Sequence, residues 1–244
     1  MLPLITFWLL VVATAVRNGS VQLYRRKPLR DWLLDLAGLA VQGALIPVLQ
    51  IVLVAALWGV AKPGLRQSVD LPGPDALGGF LLSFAVVDYV YYWNHRLLHQ
   101  RSLWPAHLVH HTVSEMDVLG TSRNTLWTSL LICYVWLHGS AVYLLQRPDG
   151  YLWGAALGAS LDLWRHSQLD PPPWLARWLD PWLVLPRDHG WHHATPAPPG
   201  NYGANLKLWD RLHGTWLDRS DTPDCLGVKT PMTLTRQLLW PVVG

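Results

Sequence analysis

Apolar residues run in long blocks along this chain, and polar residues collect between the blocks instead of alternating within them. Leu2 to Val16 is one apolar run and ends at Arg17. Trp32 to Ala61 is a second, too long for one upright crossing of a bilayer and suited to a tilted helix or one kinked at Pro47, with a re-entrant hairpin as the alternative. Ala76 to Trp93 is the third and Leu126 to Leu145 the fourth. Tyr151 to Trp164 is a fifth, short enough to cross only with help from its neighbours. Apolar blocks of this length predict helices, so the expected fold is all-α: an integral membrane helical bundle of about four to five transmembrane segments.

The polar stretches divide the chain. Arg25, Arg26, Lys27 and Arg30 fill the first loop, two prolines and a glycine mark Leu71 to Asp75, and a turn lies at Arg147 to Gly150. Beyond Trp164, Pro171, Pro172, Pro173, Pro181, Pro186, Pro196, Pro198 and Pro199 mark an extramembrane, loop-rich cap. Residues 1–75 are read as N-terminal transmembrane segments, 76–220 as the functional domain and 221–244 as a C-terminal tail. A signal peptide is the weaker reading of the first run, because no positive region precedes it.

Composition supports a membrane protein: 51% of the residues are hydrophobic and only 14% charged, against roughly 25% charged in an ordinary soluble domain. Sixteen tryptophans suit the boundary between water and lipid. A pI near 9.0 reflects an excess of arginine that bears on topology and not on nucleic-acid binding. Cys133 and Cys225 are too differently placed to pair, and no CxxC motif exists.

Eight of the eleven histidines fall in three windows: HRLLH with His95 and His99, HLVHH with His107, His110 and His111, and HGWHH with His189, His192 and His193. Imidazoles three or four residues apart share a helix face, which is metal-ligand spacing, and there are too many here for one tetrahedral ion. If the Arg/Lys-rich loop is cytoplasmic and Trp32 to Ala61 crosses once, all three windows and His166 meet on the cytoplasmic side. Ionisable groups gathered against hydrocarbon mark a functional site. Two metal ions held by histidines in a bundle can activate dioxygen beside a dry pocket, which implies oxidation of a C–H bond. A zinc-dependent membrane hydrolase would need a carboxylate base near the metal, and none of the windows contains an acid; a metal transporter would spread its histidines along a pore.

From about Asp88 to Trp216 the chain reads DYVYYWNHRLLHQRSLWPAHLVHHT, WRHSQL, PRDHGWHH and NYGANLKLWDRLHGTW. Taken together these motifs resemble the fatty acid hydroxylase/sterol desaturase superfamily of membrane di-iron oxygenases. The resemblance implies that His95, His99, His107, His110, His111, His189, His192 and His193 ligate two irons, with His166 a ninth ligand. Thr125, in GTSRNT, stands where the family often has a further histidine. His213 replaces a phenylalanine and, like His138, is read as structural.

Among supporting residues, Asp88 lies two turns before His95 and either orients a ligand imidazole or pairs with another polar group. Asp162 precedes His166 by one turn and is assigned the orienting role. Asp117 and Arg123 are expected to brace the second window, and Asn201 and Asp210, with Tyr202 and Arg211, to lock the cap by hydrogen bonding. The aromatic run Tyr89, Tyr91, Tyr92 and Trp93 is read as an interfacial belt.

The implied function is hydroxylation or desaturation of an unactivated position in a lipid such as a sterol, fatty acyl chain or ether lipid, with O2 as co-substrate. No haem- or flavin-binding segment is visible, so electrons are expected from a ferredoxin, cytochrome or reductase partner. The compact, arginine-biased chain suggests the bacterial inner membrane.

Overall fold

A computed structural model of the chain describes residues 1–17, 21–60, 63–71, 76–196 and 198–242. Ala61, at the end of the second apolar run, and residues 72–75 of the expected proline–glycine loop lie outside the described residues.

The first run forms α1 (Leu2–Arg17), and after a short α2 (Val21–Arg26) the second run forms one unbroken helix, Leu29–Val60. That helix is 32 residues long, and its most apolar 18-residue stretch has a mean hydropathy of 2.2 and is little buried within the protein. Among the described residues it is the one helix long and apolar enough to cross a membrane. The helix runs through Pro47, with a widened turn at Val41–Leu45 between α3 (Leu29–Ala40) and α4 (Ile46–Val60). The reason is steric: a proline ring collides with the carbonyl four residues earlier, here that of Gly43, and the wider turn moves that carbonyl aside.

The third run becomes α5 (Leu77–Leu81), a second widened turn and α6 (Val87–Leu98). The fourth is not one helix. It breaks at Ile132, whose backbone is extended, into α8 (Thr128–Leu131) and α9 (Cys133–Leu144); before it, α7 (Trp104–Leu108) carries His107, and a 3-10 turn at His110–Thr112 carries the rest of the second histidine window. Asn94 on α6 repairs the break, donating to the Leu131 carbonyl at 2.9 Å and accepting from the Cys133 amide at 3.1 Å. A polar side chain on an earlier helix therefore decides where this helix starts, which hydropathy alone does not reveal.

α10 (Asp149–Arg165) is the central helix, packed on α1, α5 and the turn after α5, while α4 packs along α9. The approach of α10 to α5 is close enough to require glycine: a Cβ on Gly150 would stand 1.9 Å from the Ala76 carbonyl oxygen. Replacing Gly150 with leucine is expected to force the two helices apart and to destabilise the protein by at least about 1–3 kcal/mol, read as a lowered melting temperature in detergent. The cap carries α11 (Pro173–Leu179), α12 (Pro186–His193) and α13 (Leu208–Leu212); a final α14 (Leu234–Leu239) returns to pack on α3.

The fold is all-α among the described residues, with only isolated bridges such as Leu183 to Leu206. Many large apolar side chains face outward, including Leu4, Trp8 and Val12 on α1 and Val48, Ile51 and Val52 on α4. The buried polar groups include eight of the nine histidines expected as ligands, together with Asp88, Asp117, Arg123, Asn201 and Asp210.

Candidate metal centre

The three windows and His166 converge. His95, His99, His107, His111 and His192 form one group, and His110, His166, His189 and His193 a second; in each, one nitrogen per residue lies within 4.8 Å of the others. Local spacing goes with the membership, within α6 and α12 and across the end of α7 into the turn at His110–Thr112. The pairs four apart, His95 with His99, His107 with His111 and His189 with His193, each stay in one group, while adjacent histidines, His110 with His111 and His192 with His193, separate into different groups.

The nitrogens are placed as ligands are. In the second group the Nε2 atoms form a chain: His110 to His166 at 3.3 Å, His166 to His189 at 2.9 Å and His189 to His193 at 3.1 Å. An imidazole nitrogen carries either one proton or one lone pair, so the middle nitrogens, on His166 and His189, cannot satisfy two such neighbours well. Nitrogens about 2.1 Å from a shared ion and at right angles stand about 3 Å apart, which is the spacing found. In the first group His95 Nε2 lies 3.0 Å from His107 Nε2, and Nε2 of His99, His111 and His192 is buried without a hydrogen-bond partner. The donor set fits a pair of metal ions.

Backbone carbonyls fix which nitrogen is free. Nδ1–H donates from His95 to Tyr202 O at 2.8 Å, from His110 to Arg123 O at 3.2 Å, from His166 to Asp162 O at 2.7 Å and from His192 to Gly200 O at 2.8 Å. Each such bond leaves the Nε2 lone pair pointing into the cluster. Burial first, and neighbouring imidazoles second, hold His107, His111, His189 and His193 well below the ordinary imidazole pKa, and burial pushes His192 down to about 4. These side chains are therefore neutral and available as ligands at physiological pH.

A cavity of about 400 Å³ opens beside the groups and is bordered by His107, His110, His166 and His189. It extends between α3, α4, α9 and α10, where Leu39, Ile46, Ile132, Val135 and Ala155 form apolar wall. A cleft of this size suits a small organic ligand or part of a larger one.

Comparison with known proteins gives the site a context. Residues 80–215 match the family model described as Fatty acid hydroxylase. The chain belongs to the fatty acid hydroxylase family. It is 34% identical over 140 residues to an ornithine lipid hydroxylase (OlsE) of Rhizobium tropici, covering 56% of this chain and 41% of that protein. It is 32% identical over 158 residues to the alkylglycerol monooxygenase of Danio rerio, covering 63% and 33% respectively. A fatty acid hydroxylase (vlmA) of a Lecanicillium species is 31% identical over 157 residues, covering 56% and 41%. The chain thus spans less than half the length of these relatives. No solved structure matches it.

The family match encloses all nine imidazoles and the residues expected to support them. Asp162 meets His166 twice, its carbonyl accepting from Nδ1 and a carboxylate oxygen lying 3.3 Å from the same nitrogen, and it pairs closely with Arg165. Asp210 accepts from the amides of Tyr202 at 2.8 Å and Gly203 at 2.6 Å, fixing the carbonyl that holds His95. Asn201 donates to Asp188 O and accepts from the Leu217 amide, tying the cap to α12. Arg123 holds His110 with its carbonyl, while its side chain is paired with Asp35 at 2.5 Å and with Asp31 at 3.3 Å. Asp117 accepts from the amides of Leu119 and Gly120 and pairs with Lys27, which also pairs with Asp35.

Asp88 does not orient an imidazole. Its carboxylate accepts from the amides of Asn205 and Leu206, from Asn205 Nδ2 and from Trp209 Nε1, all within 3.1 Å. It pins the family's closing motif to α6. His213 lies outside both groups, stacked on Tyr89 and Tyr92, with Nε2 3.1 Å from the Tyr89 hydroxyl. His138 bonds the Tyr151 hydroxyl at 2.8 Å and is likewise in neither group.

Sequence reasoning missed three buried charges. Lys207 pairs with Asp180 at 2.5 Å and Asp188 at 2.7 Å; Asp188 in turn accepts from the Leu185 amide at the start of α12. Arg165 donates to Ala204 O at 2.5 Å, joining α10 to the closing motif. Their place inside the motifs WRHSQL, PRDHGWHH and NYGANLKLWDRLHGTW is the signal the sequence offers. Residues after Asp221 also reach the site: the Gly227 amide donates to His193 O and the Val228 amide to His111 O. Gly227 has φ +83°, and a Cβ there would stand 2.7 Å from Val113 O, so this crossing needs glycine.

Proposed function

We propose that this protein is a membrane-bound oxygenase that hydroxylates or desaturates an unactivated C–H position of a lipid, using O2 and electrons from an external donor. The observation that carries the reading is the pair of imidazole groups bordering one apolar-walled cavity. His95, His99, His107, His111 and His192 would hold one iron, and His110, His166, His189 and His193 the other. When bound, the irons supply the activation of dioxygen that C–H oxidation demands.

The protein's own share is positioning and exclusion of water. Carbonyls of Arg123, Asp162, Gly200 and Tyr202 hold four imidazoles in the tautomer that presents Nε2. Burial keeps the remaining imidazoles neutral. The walls from α4, α9 and α10 hold a chain against the cluster and keep bulk water from the reacting carbon. Groups of five and four imidazoles exceed the three protein ligands of a catalytic zinc site, which favours an oxygenase over a zinc hydrolase, and their compactness is unlike ligands spread along a transport pore.

In this reading residues 1–75 are transmembrane, 76–220 form the hydroxylase domain and 221–244 are the tail. About four to five segments cross the membrane with help from one another, and the metal site faces the cytoplasm of a bacterium. A ferredoxin, cytochrome or reductase delivers electrons there. Relatives named for ornithine lipid, alkylglycerol and fatty acid support a lipid substrate.

The test is elemental analysis of purified protein together with lipid profiling of cells with and without the gene. Two irons per chain and a lipid gaining one oxygen or losing two hydrogens are expected, with His107→Ala lowering both iron content and turnover. Full activity with zinc alone would overturn the reading.

A further inference from the structure

The cavity beside the metal groups is drawn out along the bundle axis. Its lining on α10 includes Gly154, Ala155, Gly158, Ala159, Asp162 and His166, positions that recur one turn apart and so form a single face ending at an imidazole of the metal site. Its lining on α3, α4 and the widened turn between them includes Leu39, Gln42, Gly43, Ile46 and Gln50, again one face. The rise from Gly154 to His166 is about 18 Å, and that from Leu39 to Gln50 about 16 Å, at about 1.5 Å per residue.

Both walls have one end at the metals. Beside Leu39, Gly38 lies so close to the Ser122 carbonyl that a Cβ would collide with it, and Ser122 precedes Arg123, whose carbonyl holds His110. At the opposite end a Cβ on Gly154 would collide with the Ser83 side chain, and His138 bonds the Tyr151 hydroxyl at 2.8 Å. Ser83 and His138 both line the cavity. There α10 closes on the turn after α5, and among the described residues the lining reaches no further along α10. An alkyl chain is the part of a lipid with this long, thin shape. Staggered bonds about 1.5 Å long advance it about 1.3 Å per carbon, so the depth holds about 12–14 carbons. A polar head sent to the far end would lose its water among apolar side chains, whereas the metal end adjoins the cap through His189.

We infer that the cavity takes one alkyl tail of the lipid, methyl end first, and that Ala159 is a specificity-determining residue that sets the tail length accepted. Ala159 lines the cavity and is exposed, so a larger side chain has room there and would occupy it. It stands about 10 Å along α10 from His166, partway down the pocket. The carbon facing the metals then lies about 12–14 carbons from the methyl end, close to the head of a long-chain lipid. The inference rests on the hydroxylase reading and adds to it where along the chain the reaction falls.

The test measures binding of radiolabelled saturated fatty acids, from octanoate to eicosanoate, to metal-free protein in detergent, and oxidation of the same probes by the iron-loaded protein. Affinity of the wild type is expected to rise by up to about fourfold per added carbon, the gain from burying one methylene, and to level off near hexadecanoate. In Ala159→Phe it is expected to level off about six carbons earlier at unchanged iron content. Ala159→Leu should shift the same limit by less, and serves the comparison should the phenylalanine variant misfold. Iron-loaded wild type is expected to oxidise hexadecanoate within about four carbons of its carboxyl end. Levelling at the same length in the wild type and both variants, oxidation at the middle of the chain, or a sterol bound as tightly as hexadecanoate would overturn the assignment. The expected dependence on length without oxidation of any lipid would count against the hydroxylase reading alone.

Discussion

Replacing His110 by alanine is expected to empty one of the two metal positions and to lower turnover by more than about 100-fold, a larger loss than His107→Ala produces. Removing a residue that merely orients a ligand costs about 10–100-fold in metal affinity or activity, and losing the ligand itself costs more. Group size sets the order. His110 belongs to the group of four imidazoles and His107 to the group of five, so only the latter keeps four nitrogens after truncation. His110 also meets His166 at 3.3 Å and takes its tautomer from the Arg123 carbonyl, so its loss frees a buried carbonyl as well as a coordination position. Elemental analysis of both variants, beside their turnover, checks the prediction. Equal metal loss in the two would remove the basis for assigning the residues to separate ions.

The site was largely legible in the sequence because its geometry is local. Histidines four apart on a helix must share a face, so the pairs His95 with His99, His107 with His111 and His189 with His193 are readable as units from their spacing alone. The meaning of the adjacent pairs is not. That His110 and His193 serve one group while their neighbours His111 and His192 serve the other depends on how the turn at His110–Thr112 sits against α12, which is tertiary information. The same limit explains Asp88. Two turns from His95 on the same helix, it was as well placed for a histidine as for anything else, and only the return of residues 205–209 to α6 supplied four better donors.

The fold was legible where hydropathy dominates and less so where single polar contacts decide. The run around Pro47 is one helix, with its distortion shifted to Val41–Leu45 by the proline's steric reach. The run from Leu126 is divided because Asn94 satisfies the backbone at Ile132. Asp35 carried no signal at all: an acid within an apolar helix has no pattern to announce that Arg123, far along the chain, is its partner.

Exchange of Asp35 for alanine is the second large effect expected, a loss of about 3–5 kcal/mol in stability together with weaker metal retention. Asp35 is fully buried between Lys27 and Arg123, which are themselves almost completely buried. Removing one partner of a buried ion pair leaves uncompensated charge in a medium that solvates it poorly, and this is why breaking such pairs costs more than the pairs contribute when intact. Arg123 retains Asp31 at 3.3 Å, and Lys27 retains Asp117 at 2.7 Å, so the network is weakened and not abolished. The coupling to metal follows from the chain: the residue that loses its ion pair is the one whose carbonyl holds His110. Combining Asp35→Leu with Lys27→Met removes one acid and one base together, and should recover much of the lost stability if charge imbalance is the cause. Thermal unfolding and metal content of the single and double variants decide this; a double variant no more stable than Asp35→Ala would place the effect in packing instead.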